Sequence, residues 1–400
     1  MRSFKPLAAL LVATTVLCVG VAARVPVSAM PGYQLDIEEW IRTGRIADTF
    51  TPLAYPLFAG SAYRLGHNHG ILAAQILLHL AMVLMAYLIL RELRVSPLRS
   101  ALGSLPIALS PDLLLAVTKV WDFALSTFVM LLLVLCFLKI ANRRGFAGWG
   151  LTIASGAAFG FAMASRANLI ILLPVAVVLF FVIGRSAAKS IVATGAAVFL
   201  VVAFSGFAMV GIASHGSVFI PRNGPYNLYA GHNPYTIEEM IQYENGEPSI
   251  RPAITPTYSG LSSDDMYAHS LEPFYMQQAE HFIVHNPGTE IKLLGVKLFT
   301  LLRPDTKVQP LHSGGGMAKA VLALPVPIFL AMLLLTGRRA LLPVDWLLIL
   351  VETLYVVPFL ITNSDPRFRS PLDAVLLLHS VSLLDRYLKR RAPASVSAEA

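Results

Sequence analysis

The sequence predicts an all-α polytopic integral membrane protein: about ten transmembrane helices, an amphipathic first outer loop and a small extracytoplasmic subdomain. Three observations carry that prediction. Of 400 residues, 56% are hydrophobic and only 14% charged, with a mean hydropathy of +0.66; an ordinary soluble globule does not have this balance. The apolar residues gather in runs approaching the roughly 20 that a helix needs to cross lipid while satisfying its own backbone hydrogen bonds. The charges between those runs also separate by sign, basic on one side and mostly acidic on the other.

The first run, 7–24, is followed by Ser28-Ala29-Met30, which loosely resembles a signal-cleavage region. It is long for a signal, and we read it as a retained helix. Residues 26–69 are too polar to span and form the first outer loop. Within it Asp36-Ile-Glu-Glu-Trp40 opens an amphipathic segment reaching Ile46, with Trp40 as an interfacial anchor. Apolar runs then recur at 70–90, 100–117, 122–140, 149–165, 169–184 and 190–213. The stretch 214–317 is rich in Pro, Asn, Tyr and His, with helical patterns at 264–285 and 288–302. Three further runs, 318–336, 341–361 and 371–385, complete the set. The expected organisation is a transmembrane catalytic module over 1–213, an extracytoplasmic subdomain over 214–317, C-terminal transmembrane helices over 318–391 and a disordered tail over 392–400.

With ten spans, the basic clusters Arg2/Lys5, Arg91/Arg94/Arg99, Lys139/Arg143/Arg144, Arg185/Lys189, Arg338/Arg339 and Arg386–Arg391 all share the side of the N-terminus. The positive-inside rule makes that side cytoplasmic, and the expected location is a bacterial-type plasma membrane. Asp36, Glu38, Glu39, Asp122, Asp264, Asp265 and Asp365 fall on the other side. The net charge of +8 therefore reflects orientation in a lipid bilayer and not a nucleic-acid partner. Cys18 and Cys136 both lie in apolar runs and form no metal or redox motif. Glu352, inside the ninth span, has no explanation from sequence.

Asp36 stands at a lipid–water boundary, where lost hydration favours a general base; a solvated acid on an interfacial helix is the alternative. Asp122, in Thr118-Lys-Val-Trp-Asp122, opens the fourth span as a functional acid, a helix cap or a partner of Lys119. Arg166 sits in an outer turn of only a few residues, where an anionic partner is expected, either a protein acid or a phosphate. Arg367 and Arg369 form a second outward basic pair, on one side if Arg-Phe-Arg is extended, facing either a substrate phosphate or anionic lipid. The loop Asn223-Gly-Pro-Tyr-Asn-Leu-Tyr-Ala-Gly-His-Asn-Pro-Tyr235 supplies aromatics and amides suited to hydroxyl-rich ligands, or simply a well-formed turn. His67-x-His69 and His281-x3-His285 read as surface or packing histidines.

Taken in order, these features resemble the GT-C superfamily of polytopic glycosyltransferases, closest to its protein-mannosyltransferase-like and lipid A aminoarabinose-transferase-like branch. The matching elements are Asp36 with Trp40; Gly44 and Pro52-Leu-Ala-Tyr-Pro56; Trp121-Asp122; Ser165-Arg166-Ala167; Tyr226-Asn-Leu with Gly231-His-Asn-Pro234; and Arg367-Phe-Arg-Ser-Pro-Leu372. Two positions depart from the branch pattern: Asp122 replaces the usual Glu, and Ala167 replaces Pro.

The resemblance implies an inverting glycosyltransferase acting outside the cytoplasm on a polyprenyl-phosphate sugar donor. The acceptor is a glycan, lipid or protein hydroxyl of unknown identity. Asp36 and Asp122 are the expected catalytic acids, Arg166, Arg367 and Arg369 the donor-phosphate ligands, and Tyr55, Tyr226, Asn227 and Asn233 substrate contacts. No metal or other cofactor is required, because a lipid phosphate is already a good leaving group. The competing readings are a lipid-linked-sugar flippase or other transporter, and a noncatalytic membrane assembly protein.

Overall fold

A computed structural model describes residues 5–29, 31–46, 52–143, 148–183, 188–216, 223–237, 271–302, 324–362 and 366–391. The expected tail 392–400 and the start of the 264–285 pattern lie outside the described residues. The fold is all-α. Its one extended contact among the described residues is a two-residue parallel bridge, Ser28–Ala29 with Lys119–Val120.

Helix α1 (Lys5–Arg24) leads to α2 (Pro31–Thr43), the expected amphipathic segment, starting five residues earlier than its charge pattern suggests. Helix α3 (Ala54–Glu92) is interrupted at Gly66 and His67, the latter at φ +50°, so a short piece carrying Tyr55 precedes the long apolar one. Then come α4 (Pro97–Gly103), α5 (Leu105–Ala108), α6 (Pro111–Leu115), α7 (Phe123–Ala141) and α8 (Trp149–Ser165). A 3-10 turn, Ala167–Leu172, precedes α9 (Leu173–Ile183), which is followed by α10 (Lys189–His215) and α11 (Asn223–Gly231). The remaining helices are α12 (Glu272–His285), α13 (Pro287–Leu302), α14 (Pro325–Thr336), α15 (Pro343–Ile361) and α16 (Ser370–Arg391).

By length and apolarity, 5 described helices qualify as membrane spans: α1, α3, α7, α10 and α15. Three more are apolar but shorter: α8, α14 and the stretch Ala167–Val182. The count of ten is not reached by this measure. The expected span 100–117 differs most: it is three short helices, broken around Pro106 and Pro111. Each proline removes a backbone donor and forbids the preceding turn from continuing. The broken stretch nonetheless runs the full depth of the bundle. Near its start Arg99 pairs with Asp385 at 2.6 Å, and past its end the Thr118 carbonyl accepts from the Ser28 amide at 3.0 Å. Irregular backbone at that depth is tolerable only when protein groups satisfy it. Two side chains one turn apart on α3 do so: Gln75 Nε2 donates to the Val117 carbonyl at 3.1 Å, and His79 Nε2 lies 3.3 Å from that of Ala108.

Helices α8 and α10 pack closely through small residues. A Cβ added to Gly160 would lie 2.3 Å from the Ala203 carbonyl oxygen, so only glycine permits this approach. Near the Glu92 end of α3, Lys139 pairs with Glu92 at 2.8 Å and Lys389 with Asp385 at 2.6 Å. Several of the basic clusters expected to share a side thus gather at one end. Glu352 also finds its explanation inside the bundle. It lies 3.1 Å from His379 Nδ1, whose Nε2 lies 3.3 Å from Asp345, and Asp345 accepts from Arg386 at 2.8 Å. Cys18 and Cys136 are free and buried.

Candidate active site

At the end of the bundle opposite Glu92, α7 begins with Asp122 in the N-cap position, yet its side chain makes no capping bond. Nor does it meet Lys119, which donates to Ser28 Oγ at 2.7 Å. The carboxylate turns inward instead, and its Oδ2 lies 2.8 Å from Arg166 Nη2. Ser126, one helical turn after Asp122, closes the cluster: its hydroxyl donates to Asp122 Oδ2 at 3.2 Å and accepts from Arg166 Nε at 2.6 Å. Asp122 is 5% and Arg166 7% exposed. Arg166 reaches this position because α8 ends one residue earlier and the backbone turns extended there, at φ −152° and ψ 108°.

Aromatic groups enclose the pair. The Arg166 guanidinium stacks 4.9 Å from the centre of the Phe368 ring. Tyr355 donates its hydroxyl to the Phe368 carbonyl at 2.9 Å, and Tyr355 and Tyr33 both lie within electrostatic reach of Arg166. Tyr33 meets Tyr55 edge-on at 5.2 Å. Tyr55, fully buried, is within electrostatic reach of Asp122 and points its hydroxyl at Gln75 Oε1, 3.4 Å away.

Asp36, 8% exposed, follows Tyr33 by one turn of α2 and so shares its face. This helix is anchored on α3 by Trp40. The Trp40 ring fills the space over Gly60, where an added Cβ would meet its Cδ1 at 2.3 Å. Arg64 lies 4.9 Å from the centre of the Trp40 ring and donates to the Trp40 carbonyl at 2.7 Å.

The Arg-Phe-Arg element departs from its extended reading. Residues Pro366–Arg369 form a 3-10 turn. Successive residues of such a turn are rotated by about 120°, so alternation no longer sets two arginines side by side. Arg369, 1% exposed, donates Nε to Asp373 at 2.7 Å and Nη1 to the Leu302 carbonyl at 2.9 Å. The side chain of Arg367 lies outside the described residues.

The remaining expected substrate contacts stand apart. Tyr226 packs edge-on against Tyr275 at 5.5 Å, and Asn227 is half-buried on α11. Asn233 spends its amide on a turn, donating to the Tyr229 carbonyl at 2.9 Å and accepting from the Tyr235 amide at 2.9 Å. His281 and His285 stack on an exposed helical face, 4.1 Å apart. Ser126, Tyr355 and Asp373 escaped sequence reasoning. Spacing carried a signal for two of them, since Ser126 follows Asp122 and Asp373 follows Arg369 by four residues, one turn of helix.

The arrangement concentrates fixed positive charge, aromatic walls and carboxylates in a water-poor setting, which favours binding and transfer of an anionic group. The polytopic helical fold and this cluster fit membrane glycosyltransferases of the GT-C type. The family is indicated by residues 51–209, which match the model described as dolichyl-phosphate-mannose-protein mannosyltransferase. The resemblance read from ordered motifs is thereby borne out over that stretch, which points to a membrane glycosyltransferase of the GT-C type. The matched stretch includes Tyr55, Asp122, Ser126 and Arg166 but neither Asp36 nor the Arg-Phe-Arg turn. No curated protein matches the chain.

Proposed function

We propose that this protein is an inverting glycosyltransferase using a polyprenyl-phosphate-linked sugar. Its acceptor is a hydroxyl on the extracytoplasmic face of a bacterial-type plasma membrane. The buried Asp122–Ser126–Arg166 cluster, roofed by Phe368, is the observation that carries this reading. In the proposed step the acceptor oxygen attacks the anomeric carbon on the face opposite the phosphate. Asp36 takes the hydroxyl proton as the new bond forms, and the lipid phosphate leaves with the bonding pair. Arg166, Arg369 and Arg367 stabilise charge on the departing oxygens. Asp122 holds Arg166 in orientation and does not take the proton itself. Residues 1–213 would supply most of this machinery, with 214–317 shaping the acceptor side through Tyr226, Asn227 and Asn233.

Asp36→Asn tests the assignment, since it keeps size and removes basicity. Membranes carrying wild-type protein should transfer label from a radiolabelled polyprenyl-phosphate sugar into a new product, while Asp36→Asn membranes with equal protein should not. An active variant would move the base to Glu38, Glu39 or Asp122. The buried Glu352–His379–Asp345 chain supports a second reading, transport of a lipid-linked sugar, because such groups within spans often mark pathways. Movement of labelled donor between leaflets without product would favour it.

A further inference from the structure

Helix α13 grips the Arg-Phe-Arg segment from both sides. Before it, the completely buried Lys297 donates Nζ to the Leu360 carbonyl at 3.1 Å, on the last turn of α15. His232 Nε2 lies 2.6 Å from the next carbonyl, that of Ile361, and 3.0 Å from Lys297 Nζ. At its last residue, the final carbonyl of α13, that of Leu302, accepts from Arg369. Glu290, in the first turn of α13, lies 2.7 Å from His232 Nδ1. Backbone completes the junction: an added Cβ on Gly231 would lie 2.0 Å from the Thr362 carbonyl oxygen, so α11 and the end of α15 touch directly. Phe368, which covers Arg166, lies between the two grips.

The last carbonyls of a helix lack intrahelical donors, and cations are favoured beside them. A lysine and a histidine placed there define where α15 stops and the following turn starts. We infer that Lys297 and His232 are positioning residues of the transfer site, fixing the end of α15 so that Phe368 meets Arg166 and Arg369 meets Asp373. Only the activity readout below rests on the glycosyl-transfer reading.

Burial pulls the Lys297 ammonium down to about 8, with Glu290 acting in the opposite direction. The groups facing it are His232 from the end of α11, Glu290 from its own helix and the two carbonyls of α15. The Arg369–Asp373 pair meets the far end of α13. Activity and stability should therefore respond to alkali in opposite directions. Above pH 8 the ammonium is lost, its grip on Leu360 weakens, and transfer falls. An unfolded lysine holds its proton to about 10.4. Between those values the unfolded chain binds more protons, so this group raises stability with pH. A merely structural lysine would move both together.

The test compares wild type, Lys297→Met, Lys297→Arg and the surface control Lys292→Met, using radiolabelled polyprenyl-phosphate mannose and polyprenyl-phosphate glucose as donors. Lys297→Met should lower kcat by about tenfold or more with donor KM changed less than about twofold, the signature of lost orientation. It should also lose the alkaline limb near pH 8. Lys297→Arg, which keeps its charge, should retain transfer in alkali, and Lys292→Met should match wild type. Hydrogen exchange on peptides covering 366–372 gives the readout independent of activity, and Lys297→Met should accelerate it. Unchanged exchange there overturns the inference, whatever the transfer assay gives. A wild-type protein inactive with both donors would defeat the transfer reading, while the exchange result still decides the positioning role.

Discussion

Asp122 and Arg166 sit where neither charge is stable alone. Removing one partner of a buried pair typically costs about 3–5 kcal/mol, because the other remains desolvated and uncompensated. Asp122→Ala should therefore lower the unfolding midpoint sharply in detergent. Replacing both, as Asp122→Leu with Arg166→Met, should recover most of that stability and still abolish transfer. Recovery of both would reduce the pair to a structural pin. Arg369→Ala should impair use of donor more than of acceptor; equal losses would argue against a phosphate contact. At this scale the sequence singles out charged residues at apolar boundaries more readily than it shows how they are held. Asp122 and Arg166 stood out because acids and arginines at apolar boundaries are costly. Alternation sets the two arginines of Arg-Phe-Arg on one side only if the segment is extended, and the chain makes a 3-10 turn there. Asp122 looked equally like a cap, and only the direction of its side chain separates the two roles.

Helices make their own demands on sequence. Gly160 lets α8 approach the backbone of α10, and Gly160→Ala would force a methyl group to within 2.3 Å of the Ala203 carbonyl oxygen. Overpacking of this kind costs about 1–3 kcal/mol, so the variant should unfold earlier and stay active if α8 relaxes without displacing Arg166. Loss of transfer at temperatures where the variant is folded would tie that contact to the site. The amphipathic α2 and the apolar α1, α7, α10 and α15 were legible because polarity alone marks them. The break in α3 was not, since Gly66 and His67 interrupt the helix without interrupting its hydropathy. Nor was the broken path over 97–118, where averaging hides Pro106 and Pro111, and Gln75 and His79 answer from a distant segment.

Across the whole molecule, orientation in the bilayer is open to a direct chemical readout. The two native thiols are buried, so an introduced surface cysteine should dominate labelling by a membrane-impermeant reagent. Glu38→Cys on α2 should react in intact cells, whereas Lys389→Cys near the end of α16 should react only after permeabilisation. The reverse pattern would place the Asp36-bearing end in the cytoplasm and overturn the proposed extracytoplasmic acceptor. The bundle also explains why the site was only partly readable. The charged residues expected in it lie on α2, α7, the α8–α9 turn and the turn before α16, and no local pattern reports which of these meet.

The stretch from Pro97 to Thr118 has a consequence for biosynthesis. A segment whose carbonyls are satisfied by Gln75 and His79 of another helix has little reason to leave the insertion machinery alone, since lipid offers those groups nothing. It should linger beside the channel until α3 is in place and α7 emerges to close over it. The order of synthesis, from α3 through this stretch to α7, is then itself an assembly instruction. Substituting Gln75 and His79 with leucine would make α3 more apolar and the nascent protein harder to complete.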